Sequence, residues 1–479
     1  MIHSIKDRWY RENGWRDVLR LAIPLILSTG AVSIQHFVDR MFLTWYEPAA
    51  VAASLPAGIV HWTIMSLFVG TAGYVNTFVS QYWGAESHHR IGPSIWQGMY
   101  VAIIGGMVSL LLIPLARPLF TAIGHDPAVM AHEITYFRIL CTGGFTIVGA
   151  QALAGFYTGQ SRTWTVMWVN VTATMVNIVL DYLLIFGNFG FPRLGIAGAA
   201  AATVIATVTA MMLYLILILN PAYEKQFRTR SGWRLDRELF ARVMRYGLPN
   251  GIQFCLDMTG FTVFLLLIGR LGTSELAATN IAFNINTLAF MPMIGMGMAV
   301  NIIVGQNQGR GNSMMAERSV YTGFQLTFLY MTAIGALYLF TPGLFLAPYE
   351  YGSAAGNFAH IKATTIVLLR FVALYSLFDG MTIVFASALK GAGDTRFVML
   401  MLVGLSFCIL VIPSYLALTV FKASLYTGWT IATTYICVLG ISYYVRFRRG
   451  AWKSMRVIEH IPPHIPPTLP TVPTTEVEL

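Results

Sequence analysis

Charge is what this chain has least of. Asp, Glu, Lys and Arg make up 11% of its 479 residues, less than half the share of an ordinary soluble domain. With 56% hydrophobic residues and a mean hydropathy of +0.63, too little polar surface is available to face water. A soluble globular fold is excluded, and a membrane protein is expected. Cysteine is scarce as well. Cys141, Cys255, Cys408 and Cys437 all lie in apolar stretches without metal-ligand spacing, so neither a disulfide framework nor a zinc site is implied. There is no phosphate loop, nucleotide fingerprint or nucleophile elbow, and no clustered His/Asp or Ser/His set. An ATP-driven pump within this chain and an enzyme are therefore not expected. The first 17 residues lack the apolar core and small-residue cleavage site of a signal peptide.

What the chain does have is long apolar runs. Spanning a bilayer takes about 20 mainly apolar residues, and twelve such segments can be marked off, the first over 21–46 and the last over 426–447. The expected fold is an all-α membrane protein of twelve transmembrane helices in two pseudo-symmetric six-helix lobes. Residues 1–17 form an N-terminal lead, 18–219 a first lobe, 220–242 a charged linker and 243–447 a second lobe. The stretch 448–479, which ends in HIPPHIPPTLPTVPTTEVEL, is expected to be disordered because dense proline prevents helix. The net charge of +10 could suggest nucleic acid. Its placement says otherwise: most of the 31 Lys and Arg fall in the two termini and the loops on their side. That is the positive-inside pattern, with both termini cytoplasmic in a multi-pass plasma (inner) membrane protein. No nucleic-acid partner is expected.

The halves repeat. Pro24 in LAIP matches Pro249 in YGLP, 225 positions on, and Asn76-x4-Gln81 matches Asn301-x4-Gln306 at the same offset. TGQSRTWTVM at 158–167 matches KGAGDTRFVM at 390–399, 232 positions on. Six helices repeated in one orientation argue for a parallel duplication about an axis along the membrane normal.

Four acids sit at membrane depth: Asp39, Asp181, Asp257 and Asp379. An acid there is costly, about 2.5–3.5 kcal/mol on insertion scales, and reads as functional by default. The bland alternative for Asp39 is neutralisation by Arg40 or His36. None of the four aligns with another under the repeat, so the scaffold is shared and the charges are specialised. By the same logic Arg138 and Arg370, which do repeat, read as scaffold. Asn177 and Asp181 are i and i+4, hence on one helix face, as are Tyr375 and Asp379. Each pair offers oxygen ligands to a cation or a hydrogen-bonded proton site, or else a polar packing contact. Pro24 removes a backbone donor and invites a bend. The Met-rich run FMPMIGMGM at 290–298 reads as packing.

The chain resembles the multidrug and toxin extrusion (MATE) family over about residues 15–447, NorM-like with DinF-like features in its first lobe. The resemblance rests on LAIP with FVD, the VNTFVSQYWGA and VNIIVGQNQGR pair, NIVLDYLLIF, GLPNGIQFCLD and YSLFDGMTIVFASALKGAGDT. It implies two six-helix lobes around a central cavity that opens to either side. It also implies a cation-coupled antiporter, driven by Na+ or H+, that exports organic cations or drugs as a monomer, with no other cofactor. By residue, it assigns cation or proton coupling to Asp39, Asn177, Asp181 and Thr203 in the first lobe and to Asp257, Tyr375 and Asp379 in the second. Sodium would sit at Asp257, Tyr375 and Asp379 or at Asp39, Asn177 and Asp181. Pro24 is the bending proline. Asp257 stands where NorM-type members often carry Glu, one methylene longer. The rival readings are a lipid-linked saccharide flippase of related fold and an ion channel.

Overall fold

A computed structural model describes residues 9–350 and 358–459. Its helices are α1 Trp15–Tyr46, α2 Pro48–Gly73, α3 Val75–Gly84, α4 Ile91–Leu111, α5 Ala116–Ile123, α6 Pro127–Thr142, α7 Gly144–Gly159, α8 Thr163–Phe186, α9 Ile196–Ile218 and α10 Pro221–Phe227. The second half of the chain adds α11 Arg237–Gly269, α12 Thr273–Gly309, α13 Ser313–Phe340, α14 Pro342–Glu350, α15 Phe358–Ala392, α16 Thr395–Leu405, α17 Ile412–Tyr415 and α18 Leu425–Arg448. Among the described residues, 11 helices are long and apolar enough to cross a membrane, α2 and α3 counting as one. The pair α6–α7, bent by 46°, brings the total to 12.

Local chemistry sets the ends. Asp126, Asn220, Asp236 and Asn312 cap α6, α10, α11 and α13, each side chain accepting from a first-turn N–H. Pro127 and Pro221 begin their helices, where a missing N–H costs nothing. Pro24 and Pro249 lie inside α1 and α11, which run on through them. Pro413 is accommodated differently: α17 is flanked by π-helical turns at Ser406–Val411 and Leu416–Val420. A residue without an N–H breaks the regular ladder, and wider turns re-form it on either side.

The hydrophobic core divides by chain half. One buried cluster runs from Phe264 to Trp452 and draws only on the second half. Another joins Met65, Phe78, Tyr82, Phe156 and Tyr214 of the first half, with Leu239 and Val243 from the start of α11. Successive spans alternate in direction, so the ends of α3, α7, α12 and α15 share one face with the start of α1 and the end of α18. On the half of the molecule nearer that face the two chain halves pack directly. Val18, Ala22 and Leu25 of α1 meet Met296, Ala299 and Ile303 of α12. Met293 and Met296 are buried, which agrees with the packing reading of that run.

The repeated amides make this contact twice over. Gln81 Nε2 donates to Gly391 O at 2.9 Å, and Gln306 Nε2 donates to Gly159 O at 2.8 Å. Each reaches from its own half to the end of a helix in the other. Asn76 Nδ2 donates to Asn301 Oδ1 at 3.3 Å across the same seam. Gly84 and Gly309 let α3 and α12 touch backbone to backbone: a Cβ on Gly84 would lie 2.8 Å from the Gln306 carbonyl carbon, and one on Gly309 would lie 2.9 Å from that of Gln81.

The stretch expected to be disordered after Arg448 is ordered as far as Glu459. Trp452 is fully buried and stacks on Phe447 at 4.9 Å, and Val457 and Ile458 are buried among first-half residues. The proline-rich run begins only at Pro462; before it, apolar anchors supply burial that composition alone did not reveal. Residues 460–479 lie outside the described residues.

Candidate functional site

In the first half the chain brings three helices to one dry point. Asp39 on α1 is 8% exposed, while Asn177 and Asp181 on α8 are both 0% exposed. With the Asn177 amide oriented by its hydrogen bonds, its nitrogen donates to Asp39 Oδ1 at 2.9 Å and its oxygen accepts from the Thr203 backbone N–H at 3.3 Å. The Asp39 and Asp181 carboxyls lie side by side, within reach of a shared proton. Neither oxygen of Asp181 receives a hydrogen bond from any donor. Two ionised carboxylates have no donor to offer one another.

Thr203 takes part through its backbone N–H. Its hydroxyl donates to Ala199 O at 3.1 Å, one turn back on α9, and sits beside Tyr136 of α6. The hydroxyl hydrogen is spent within its own helix, as Ser and Thr in helices commonly do, which leaves the oxygen lone pairs as the part of the side chain that can accept. Tyr136 lies near both carboxyls and was not legible in the sequence. His36 and Arg40 exert a field on Asp39, yet both side chains are exposed and neither forms an ion pair with it.

The second-half residues form a looser group. Asp257 on α11 lies among surrounding helices, yet its side chain is exposed. Asp379 on α15 is partly exposed and within electrostatic reach of Asp257. Tyr375 is buried, one turn earlier on α15, and its hydroxyl accepts from Asn286 Nδ2 at 3.2 Å rather than bonding Asp379. Trp429 lies over Tyr375 at 6.5 Å and stacks on Phe283 at 5.0 Å. Asp257, Tyr375 and Asp379 therefore share a neighbourhood without a joint hydrogen bond.

Lys390 was missed. It is the first residue of KGAGDT, near the end of α15, and its charge acts on Asp257 without a direct ion pair. Tyr435 of α18 faces both Asp257 and Asp379. Only the presence of a lysine in an otherwise apolar helix end could have flagged the first, and nothing in the sequence flagged the second. Arg138 and Arg370 are exposed and stand apart from both groups. Among the described residues, no three His, Cys, Asp or Glu side chains form a metal-binding group.

Spans of this number and length, with carboxyls buried among them, mark a multi-pass membrane protein of the transporter class. The MatE family model matches residues 24–183 and 249–416, and the chain belongs to the MATE family. It is 27% identical to the multidrug resistance protein NorM of Burkholderia vietnamiensis, over 80% of this chain and 83% of that protein. It is 29% identical to the probable multidrug resistance protein NorM of Pseudomonas aeruginosa, over 79% and 78%. The outward-facing conformation of a multidrug resistance MATE family transporter of the MOP superfamily superimposes with a TM-score of 0.82 at 20% identity, covering 92% of this chain and 97% of that one.

Proposed function

We propose that this protein is a cation-coupled antiporter that exports organic cations by alternating access, with Na+ or H+ moving inward. The face carrying the chain ends is cytoplasmic, and the 18–219 and 243–447 lobes of a single chain rock against each other so that each face opens in turn. The observation that carries the reading is the fully buried, donorless Asp181 carboxyl against the buried Asp39. Two carboxyls in a low-dielectric site cannot both stay ionised without a counter-charge. An entering proton or sodium ion, held by Asp39, Asp181 and the Asn177 amide, removes that cost and biases one arrangement of the lobes.

Asp257 and Asp379 are the counter-charge for the exported cation. Asp257 is exposed and Asp379 partly so, which leaves both carboxyls accessible to a cation, while Tyr435 and Trp429 are buried beneath the group and shape its floor. A transmembrane potential of 100 mV adds about 2.3 kcal/mol per charge moved. The test is efflux of a fluorescent organic cation from proteoliposomes under an imposed proton gradient, then a sodium gradient. Efflux driven by one gradient and lost in Asp39→Asn and Asp181→Asn supports the reading. Efflux indifferent to both gradients and to both substitutions sinks it.

A further inference from the structure

The chain does not leave the protein when α18 ends. Trp452 is locked into the second half, its indole N–H donating to Phe447 O at 2.9 Å. Gln308, at the end of α12, donates to Trp452 O at 2.8 Å and to Met455 O at 3.1 Å, and Lys453 pairs with Glu317 at 2.6 Å. From there the chain crosses the seam. The Val457 N–H donates to Gln81 Oε1 at 2.9 Å, so the side chain that already holds Gly391 is held in turn. Val457 and Ile458 enter the first-half core. Glu459 then accepts from Tyr82 at 2.6 Å, from Arg90 Nε at 2.9 Å and from Arg242.

We propose that residues 451–459 are a clasp that holds the two halves together on the face of the chain ends, and that Glu459 must leave the Tyr82, Arg90 and Arg242 pocket each time that face opens. The charge arrangement suits a reversible contact. Arg90 also pairs with Asp236 at 3.1 Å, and Arg242 with Glu238. When Glu459 departs, each arginine keeps an acidic partner, so no charge is stranded. All five side chains are at least a quarter exposed, so water reaches the pocket as it empties. The apolar anchors differ: Trp452 stays with its own half, and only Val457 and Ile458 must withdraw. The clasp rests on the alternating-access reading above, but its test does not require transport.

The test uses the full chain with its four cysteines replaced and spin labels at His89→Cys and Met314→Cys, exposed positions on the two halves at this face. Electron–electron distance measurements are made in proteoliposomes. Truncation after Ser454 and, separately, Glu459→Lys should each raise the long-distance population by about tenfold in the open-to-closed ratio. Truncation after Glu459 should leave it unchanged. Should the first truncation not fold, Glu459→Lys carries the test, since it keeps every apolar anchor. Unchanged distances in a folded Glu459→Lys protein overturn the clasp. So does an equal shift on truncation after Glu459, which would place the effect in the residues beyond. If transport fails in the parent protein while the distances shift as stated, the functional reading falls and the clasp stands.

Discussion

Replacing Gly84 by Ala places a methyl group where α3 and α12 already touch. The new Cβ would lie 2.8 Å from the Gln306 carbonyl carbon and 3.0 Å from its Cα, against an ordinary contact of 3.4–4 Å. Backbone cannot rotate away as a side chain can, so the helices must part by about 1 Å at this point. That movement stretches the Gln81–Gly391 and Gln306–Gly159 bonds, now 2.9 and 2.8 Å, beyond hydrogen-bonding range. An interhelical bond in a membrane protein contributes about 0.6–1.7 kcal/mol. Losing two shifts the equilibrium toward opening of that face by about 1–3 kcal/mol, or about 5–150-fold. Gly309→Ala should act alike, because its Cβ meets Ala85 N and the Gln81 carbonyl carbon at 2.9 Å. Distance measurements between labels at positions 89 and 314 read the shift directly, and efflux should slow because the closed state is reached less often. If both substitutions leave the distance distribution and efflux untouched while the protein stays folded, the seam is not the closure assigned to it.

Other outcomes follow from the same contacts. Asp181→Asn should leave melting of the purified protein little changed or improved, because a costly buried carboxyl is removed, while gradient-driven efflux falls by about tenfold or more; equal efflux in the variant would argue against coupling at this site. Lys390→Met removes the positive charge acting on Asp257, so equilibrium binding of an organic cation should tighten, and weaker binding would show that Lys390 supports the site instead. Asp236→Ala removes the cap of α11 and should lower stability by about 1 kcal/mol. Burial opposes ionisation of Asp236, but the Leu239 N–H and Arg90 outweigh it and hold the carboxyl below its ordinary value. The cap is therefore at full strength above that ordinary value and is lost as pH falls through the lowered one; the melting difference between wild type and variant should narrow as pH falls below the ordinary carboxylate range.

The helices were legible because lipid-facing and core-facing positions are both apolar, so length alone marks a span. The positions of the breaks were less so. The pause at Tyr74 between α2 and α3 and the bend between α6 and α7 at Gly143 depend on packing, and nothing in hydropathy locates them. Asn177 and Asp181 could be placed on one face from their spacing, and the structure sets both against Asp39. The approach of Asp39 itself, 138 positions before Asn177 in the chain, is a tertiary contact that spacing cannot give. The same limit hid Lys390 and Tyr435 beside Asp257. The repeat showed that Gln81 and Gln306 correspond, but not that each holds the opposite half. Trp452 to Glu459 was not legible because these eight ordered residues sit beside a proline-rich run whose composition dominates the whole stretch.

The doubled glutamine contact has a mechanical consequence. Two equivalent ties set apart from a common axis oppose rotation as well as separation, whereas a single tie is a pivot. Cutting Gln81 or Gln306 alone should leave the bundles able to swivel about the surviving tie, and only cutting both should let them drift apart.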